Sequence, residues 1–115
     1  MDAIGLVKTV LTEALEVDVV TDIPRDRPQR LVAIALEGDK STPFLLRPRI
    51  LLTCWGRTNH DALGLTLSAI EALEDAACDH PYLSSAELET MSREEWSRNG
   101  QARYMAVLEL TINVY

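Results

Sequence analysis

The stretch TCWGRTNHDALGL, residues 53–65, places Cys54, His60 and Asp61 within eight positions of one another. It reads either as a small catalytic centre or as the corner where a strand turns into a helix. Just before it, RILLTCWG alternates: Ile50, Leu52 and Cys54 fall on one side, and Arg49, Leu51, Thr53 and Trp55 on the other, as side chains do along a strand. From Thr58 the period lengthens. Thr58 and Asp61 have the spacing of a capping box, in which each side chain satisfies an otherwise orphan backbone donor. A core stripe of Leu63, Leu67, Ile70, Leu73 and Ala77 then follows, flanked by a small-residue row of Ala62, Leu65, Ala69, Ala72 and Ala76. Small side chains permit close packing against another helix or a neighbouring subunit. The helix ends at CDHPY, because the residue before a proline is pushed out of helical geometry.

The corner reading accounts for Cys54, His60 and Asp61. Cysteine catalysis needs a thiolate within reach of its base in a partly exposed, electropositive setting. Cys54 instead shares the inward face of Ile50 and Leu52, His60 falls in the first helical turn, and Asp61 is a cap partner. The rival, a small cysteine enzyme built on Cys54 and His60, predicts rapid labelling of Cys54 by a thiol reagent.

Outward from this corner, Ile4, Val7, Leu11, Ala14 and Leu15 recur at helical steps and mark a first helix over 2–16. VDVVTDIP switches to extended, β-branched character up to Pro24, and LVAIALEG, closed by Gly38, is a second strand. DKSTPFLLRP is a proline-bearing loop or arm. Residues 83–91 alternate fairly well and read as a fourth strand, followed by the turn Asn99-Gly100. In ARYMAVLELTINVY, Ala106, Leu108, Leu110, Ile112 and Val114 form an inward row opposite Met105, Val107, Glu109, Thr111, Asn113 and Tyr115. The sum is an α+β fold of order α-β-β-β-α-β-β, a single antiparallel or mixed sheet of four to five strands with two helices on one face.

A chain of 115 residues fits one domain, 1–115. Its 47% hydrophobic and 25% charged residues are those of a globular protein. A net charge of -7 argues against general affinity for nucleic acid. No apolar run is long enough to span a bilayer and the N-terminus lacks a basic leader, so the expectation is a cytoplasmic chain, mature from Met1, with no membrane partner. Cys54 and Cys78 are expected as two buried thiols in a reducing compartment. Neither a phosphate-cradling glycine motif nor close metal-ligand spacing occurs, so no cofactor or metal is expected. Glu71, Glu74, Asp75, Glu87, Glu89, Glu94 and Glu95 read as solvated faces. Arg25, Arg27 and Arg30, with Arg47 and Arg49, flank the second strand and are the one local concentration of positive charge, a candidate anchor for an acidic partner.

The outer face of the sheet exceeds background. Leu51, Trp55, Met105, Val107 and Tyr115 are large groups on the side away from the helices, and such residues favour interfaces. The bland reading is a sheet curled enough to cover itself.

The order of elements, with PRILLTCWGRTNHDALGLTLSAIEAL at its centre and QARYMAVLELTINV at its end, resembles the tail terminator (tail completion) proteins of long-tailed bacteriophages. In that family strands carry a motif like P..PFVVV...GG, present here loosely as PRDRPQRLVAIALEGD. A central strand then ends near a tryptophan, followed by a polar turn and a helix with an early alanine, matched by Trp55, Thr58 and Ala62. The closing strand is preceded by an arginine-tyrosine pair, Arg103 and Tyr104. The departures are a single glycine at Gly38 and a weak match over 83–99.

The resemblance implies a virion tail protein, assembled in the host bacterial cytoplasm. Its subunits would form a homo-hexameric ring that caps the head-proximal end of the tail tube, ends tube polymerisation and docks the neck or head-completion protein. It would have no enzymatic activity. DNA would pass through the lumen without specific binding, which acidic charge would favour. The expected subunit contacts are Arg49, Leu51, Trp55, Arg103, Tyr104 and Tyr115, on the outer faces of the third and fifth strands. A docking loop over 39–47 would present Asp39, Lys40, Phe44 and Arg47. The rival of the same class is a head-closure or neck connector.

Overall fold

In a computed structural model, residues 3–22, 30–39, 46–79, 83–94 and 102–112 are described. The first element is helix α1 (Ala3–Ala14), which buries Val7 and Leu11. Strands β1 (Asp18–Val20), β2 (Leu31–Asp39) and β3 (Pro48–Gly56) follow, then helix α2 (Asn59–Asp79) and strands β4 (Leu83–Glu94) and β5 (Ala102–Ile112). The expected order α-β-β-β-α-β-β is the observed one. Among the described residues no helix is long and apolar enough to cross a membrane.

The sheet has five strands in the order β1-β2-β3-β5-β4. It is mixed: β1 pairs parallel to β2, and every other pairing is antiparallel. A parallel neighbour needs a crossover rather than a tight hairpin, which suits the long connection carrying Pro24 and Pro28. β1 is three residues long, shorter than its β-branched sequence predicts.

Both helices cover one face. Val7 and Leu11 of α1 and Leu65, Ala69, Ile70 and Leu73 of α2 share one core with Val32, Ile34, Ile50, Leu52, Cys54, Ala106, Leu108, Leu110 and Ile112. The inward rows expected on β3 and β5 are thus the core, fully buried from Ile50 to Cys54 and from Ala106 to Ile112 at alternate positions. Val114 lies outside the described residues.

Helix α2 is rotated relative to its expected stripe. Its buried positions are Ala62, Leu65, Thr66, Ala69, Ile70 and Leu73, whereas Leu67 is 48% exposed. The cause lies at Gly56. A Cβ there would sit 2.4 Å from the Ala62 backbone nitrogen and 2.8 Å from its Cα. The first turn of α2 thus lies against the end of β3, with the alanine-led row inward and Leu67 outward. Thr66 is buried, and its hydroxyl donates to the Ala62 carbonyl at 2.8 Å, which satisfies the polar group within its own helix. Cys78, expected to be buried, is exposed near the helix end.

Strand β4 is twelve residues long and passes through two register shifts, between Leu83 and Ser85 and between Leu88 and Thr90. Each adds a residue and changes which parity faces the helices. Leu83, Ala86, Leu88 and Met91 therefore stand opposite the inward residues Ile112, Leu110, Leu108 and Ala106. Leu88 and Met91 remain partly exposed there.

Candidate functional site

The corner between β3 and α2 is built as a helix start. The Asp61 amide donates to the Thr58 hydroxyl oxygen at 3.0 Å, and the Ala62 amide to the Thr58 carbonyl at 3.0 Å. The Asp61 carboxylate accepts from the Arg57 amide at 3.0 Å, one residue earlier than in the reciprocal box. Its other oxygen lies 3.3 Å from Arg30 Nε. Both Asp61 oxygens are therefore committed, one to the backbone and one to an arginine.

Cys54 does not have the setting of a nucleophile. It is fully buried, and removal from water pushes its thiol up to about 11, with the Thr66 hydroxyl pulling weakly the other way. At neutral pH about one thiol in ten thousand is ionised. His60 is on the exposed side of the first turn. Among the described residues no group of three or more histidine, cysteine or acidic side chains is placed to hold a metal ion.

The outer face of the sheet carries the remaining chemistry. Its register places Arg49 opposite Glu109, Leu51 opposite Val107, Thr53 opposite Met105 and Trp55 opposite Arg103. On the other side of β3, Ala35 pairs with Leu51. Leu51, Val107 and Ala35 thus form an apolar centre at mid-sheet. One end of that face is charged: Arg49 Nε and Nη2 both reach Glu89 Oε2, at 2.8 and 2.7 Å, and Arg47 pairs with Glu109. Glu109 is only 8% exposed in the single chain, and a carboxylate so far withdrawn from water requires a cation beside it. Leu46 exchanges backbone hydrogen bonds with Ile112, at 2.8 and 3.2 Å, which pins the chain just before Arg47.

Several expected residues stand elsewhere than the sequence implied. Trp55 is 1% exposed and packs with Leu31, Ala33 and Val20 in a second small core. The sheet covers its outer face at that end, so the indole is an internal group of the single chain. Tyr104 stands opposite Cys54 and Arg93, on the helix side of the sheet rather than the outer face, because its parity is that of Ala106 and Leu108. Among the described residues the arginines do not form one patch: Arg30 adjoins the start of β2, while Arg49 is paired across from Gly38 near its end, about 25 Å along an extended strand. Arg30, Arg47 and Arg49 each face a carboxylate. Arg25, Arg27, Lys40, Phe44 and Tyr115 lie outside the described residues, and Asp39 closes β2.

Glu89 and Glu109 escaped sequence reasoning. Glu109 occupies an outward slot of an apolar strand, which marks it as unusual, but its arginine comes from 62 positions upstream and only the register supplies it. Glu89 lies at a register shift of β4, where alternation gives no face.

The chain matches no protein-family model and no curated protein. Its fold is similar to that of a chain from a solved structure described as the virion of a native gene transfer agent particle, at a TM-score of 0.64 and 11% identity. The match covers 97% of this chain and 86% of that one, so the whole arrangement of two helices on a five-stranded mixed sheet is shared between them.

Proposed function

We propose that this chain is a structural subunit of a phage-like particle, and specifically a tail terminator. Its copies associate as a ring, by expectation a hexamer, on the head-proximal end of the tail tube. The ring ends tube polymerisation and gives the neck or head-completion protein its docking surface. The observation that carries this reading is the match of fold over nearly the full chain to a virion component, joined to the terminator-like order of motifs around Trp55 and Thr58. A buried, protonated Cys54 and a committed Asp61 lend no support to the enzyme alternative.

Subunits meet through the outer face of β3 and β5, with Leu51 and Val107 as the apolar centre and Arg49, Glu89 and Arg103 around it. This layout is that of interfaces, an apolar core with a polar rim. Trp55 supports that face from within the fold, and the segment between β2 and β3 meets tube or neck.

Solution mass by light scattering, alone and with tail tubes lacking a terminator, tests the reading. A ring, or capture of the protein at tube ends, is expected. Arg49→Glu, checked for an unchanged circular dichroism spectrum because it also removes the pairing with Glu89, is expected to disrupt ring or capture. A persistent monomer that ignores tube ends overturns the terminator reading, and capture by capsid portals instead moves the chain to the neck. Rings of normal mass from Arg49→Glu overturn the interface assignment alone.

A further inference from the structure

Helices α1 and α2 border an open groove of about 460 Å³ near their C-terminal turns. Its apolar lining consists of Val10, Ala14, Ala72 and Ala76, and its remaining lining residues are Glu13, Asp75 and Asp79. Among the described residues no basic side chain lines it. Neither helix carries a basic residue in its last turn, so the partial negative charge of two helix C-termini adds to that of three carboxylates. Lysine or arginine in the last turn often offsets this end, and the last turns of α1 and α2 carry neither.

From the small apolar floor, the acidic rim and the two helix ends without a basic residue in their last turns, we propose that this groove docks a short amphipathic segment of a partner protein. That segment carries an apolar stripe flanked by lysine or arginine. The alanines permit close backbone approach, and the stretch from Ala72 to Asp79 spans about two turns, enough to seat a helical segment lengthwise. Among the described residues no group of three or more histidine, cysteine or acidic side chains is placed to hold a metal ion, and a free cation does not fit an open groove with an apolar floor. A second copy of this chain does not supply such a segment from its helices, because α1 carries one basic residue, Lys8, and α2 carries neither lysine nor arginine. The groove lies on the helix side of the sheet, opposite the face assigned to subunit contact, so the inference does not depend on the terminator reading.

The full-length protein is titrated into a fluorescein-labelled leucine-alanine-lysine amphipathic peptide about 14 residues long, with a matched leucine-alanine-glutamate peptide as control. Binding is read by anisotropy, and its location by amide hydrogen exchange. The lysine peptide is expected to bind more weakly as salt rises and to protect residues 10–14 and 72–79. Neutralising the rim with Glu13→Gln, Asp75→Asn and Asp79→Asn together should weaken binding about tenfold, a factor of about two for each exposed charge. Ala76→Arg, checked for an unchanged circular dichroism spectrum, should abolish it by filling and repelling. No binding of the lysine peptide, equal binding of the glutamate peptide, protection confined to other surfaces, or affinity unchanged in both variants would each overturn the proposal. Dimerisation through the same residues without peptide would also overturn it, in favour of a second copy as occupant.

Discussion

Replacing Gly56 with alanine adds one methyl group at the place where strand and helix come closest. The new Cβ would lie 2.4 Å from Ala62 N, 2.8 Å from Ala62 Cα and 2.9 Å from the Asp61 carbonyl carbon. All three are backbone atoms, so no side chain can swing aside. Restoring ordinary contact requires the first turn of α2 to retreat by about 1 Å. That movement would lift Ala62, Leu65 and Thr66 from the sheet and stretch the 3.0 Å bonds between Thr58, Asp61 and Ala62. Overpacking in a close-packed site costs about 1–3 kcal/mol, and partial loss of a helix cap adds about 1 kcal/mol. A destabilisation of about 3 kcal/mol is expected, read as a fall in Tm of about 10–20 °C. The assay is urea and thermal unfolding followed by circular dichroism. Gly64→Ala supplies the control: nothing lies within 4 Å of its added Cβ, and alanine in an exposed helix interior should stabilise by about 0.5–1 kcal/mol. A Gly56→Ala protein within about 0.5 kcal/mol of the parent would refute the account of how α2 is positioned.

Thiol labelling in the native state should modify the exposed Cys78 rapidly and Cys54 only on the timescale of opening, and fast Cys54 labelling would revive the enzyme alternative. Cys54 also predicts a pH dependence: with its folded pKa raised to about 11 from an ordinary 9.0, the unfolded chain releases the proton first. Its contribution is fully present below pH 9 and is lost as pH rises toward 11, at up to about 1.4 kcal/mol per pH unit. Comparing alkaline denaturation midpoints with Cys54→Ala checks this, and identical pH slopes would count against it. Trp55→Ala should destabilise the isolated chain by about 3–5 kcal/mol through the emptied second core. An unfolding midpoint unchanged by that substitution would return Trp55 to the sheet surface.

Most of the fold was legible because β3 and β5 are buried on one face and their alternation is unbroken, and because Thr58 and Asp61 announce a helix start by type and spacing. The face of α2 was not legible. Two adjacent apolar rows compete there, and the choice between them is made by the contact at Gly56, which no periodicity encodes. Strand β4 was read only as fair alternation because two shifts bring residues of both parities to the helix side. At the candidate interface, the apolar centre at Leu51 and Val107 followed from alternation alone. The ion pairs of Arg49 with Glu89 and Arg47 with Glu109 depend on long-range register, and the burial of Trp55 depends on neighbours from β1 and β2.

The two shifts in β4 also bear on how the molecule behaves in a crowd. A long, regular border of backbone donors and acceptors invites a neighbour to add another strand, and such growth has no natural end. Here one border belongs to β4, which is broken twice and studded with Glu87, Glu89 and Arg93, while the other begins with a strand of three residues. Neither border offers the uniform ladder that runaway association needs. In the proposed ring, contacts between copies would thereby be left to side chains, whose chemistry can require a particular partner and stop at a fixed number.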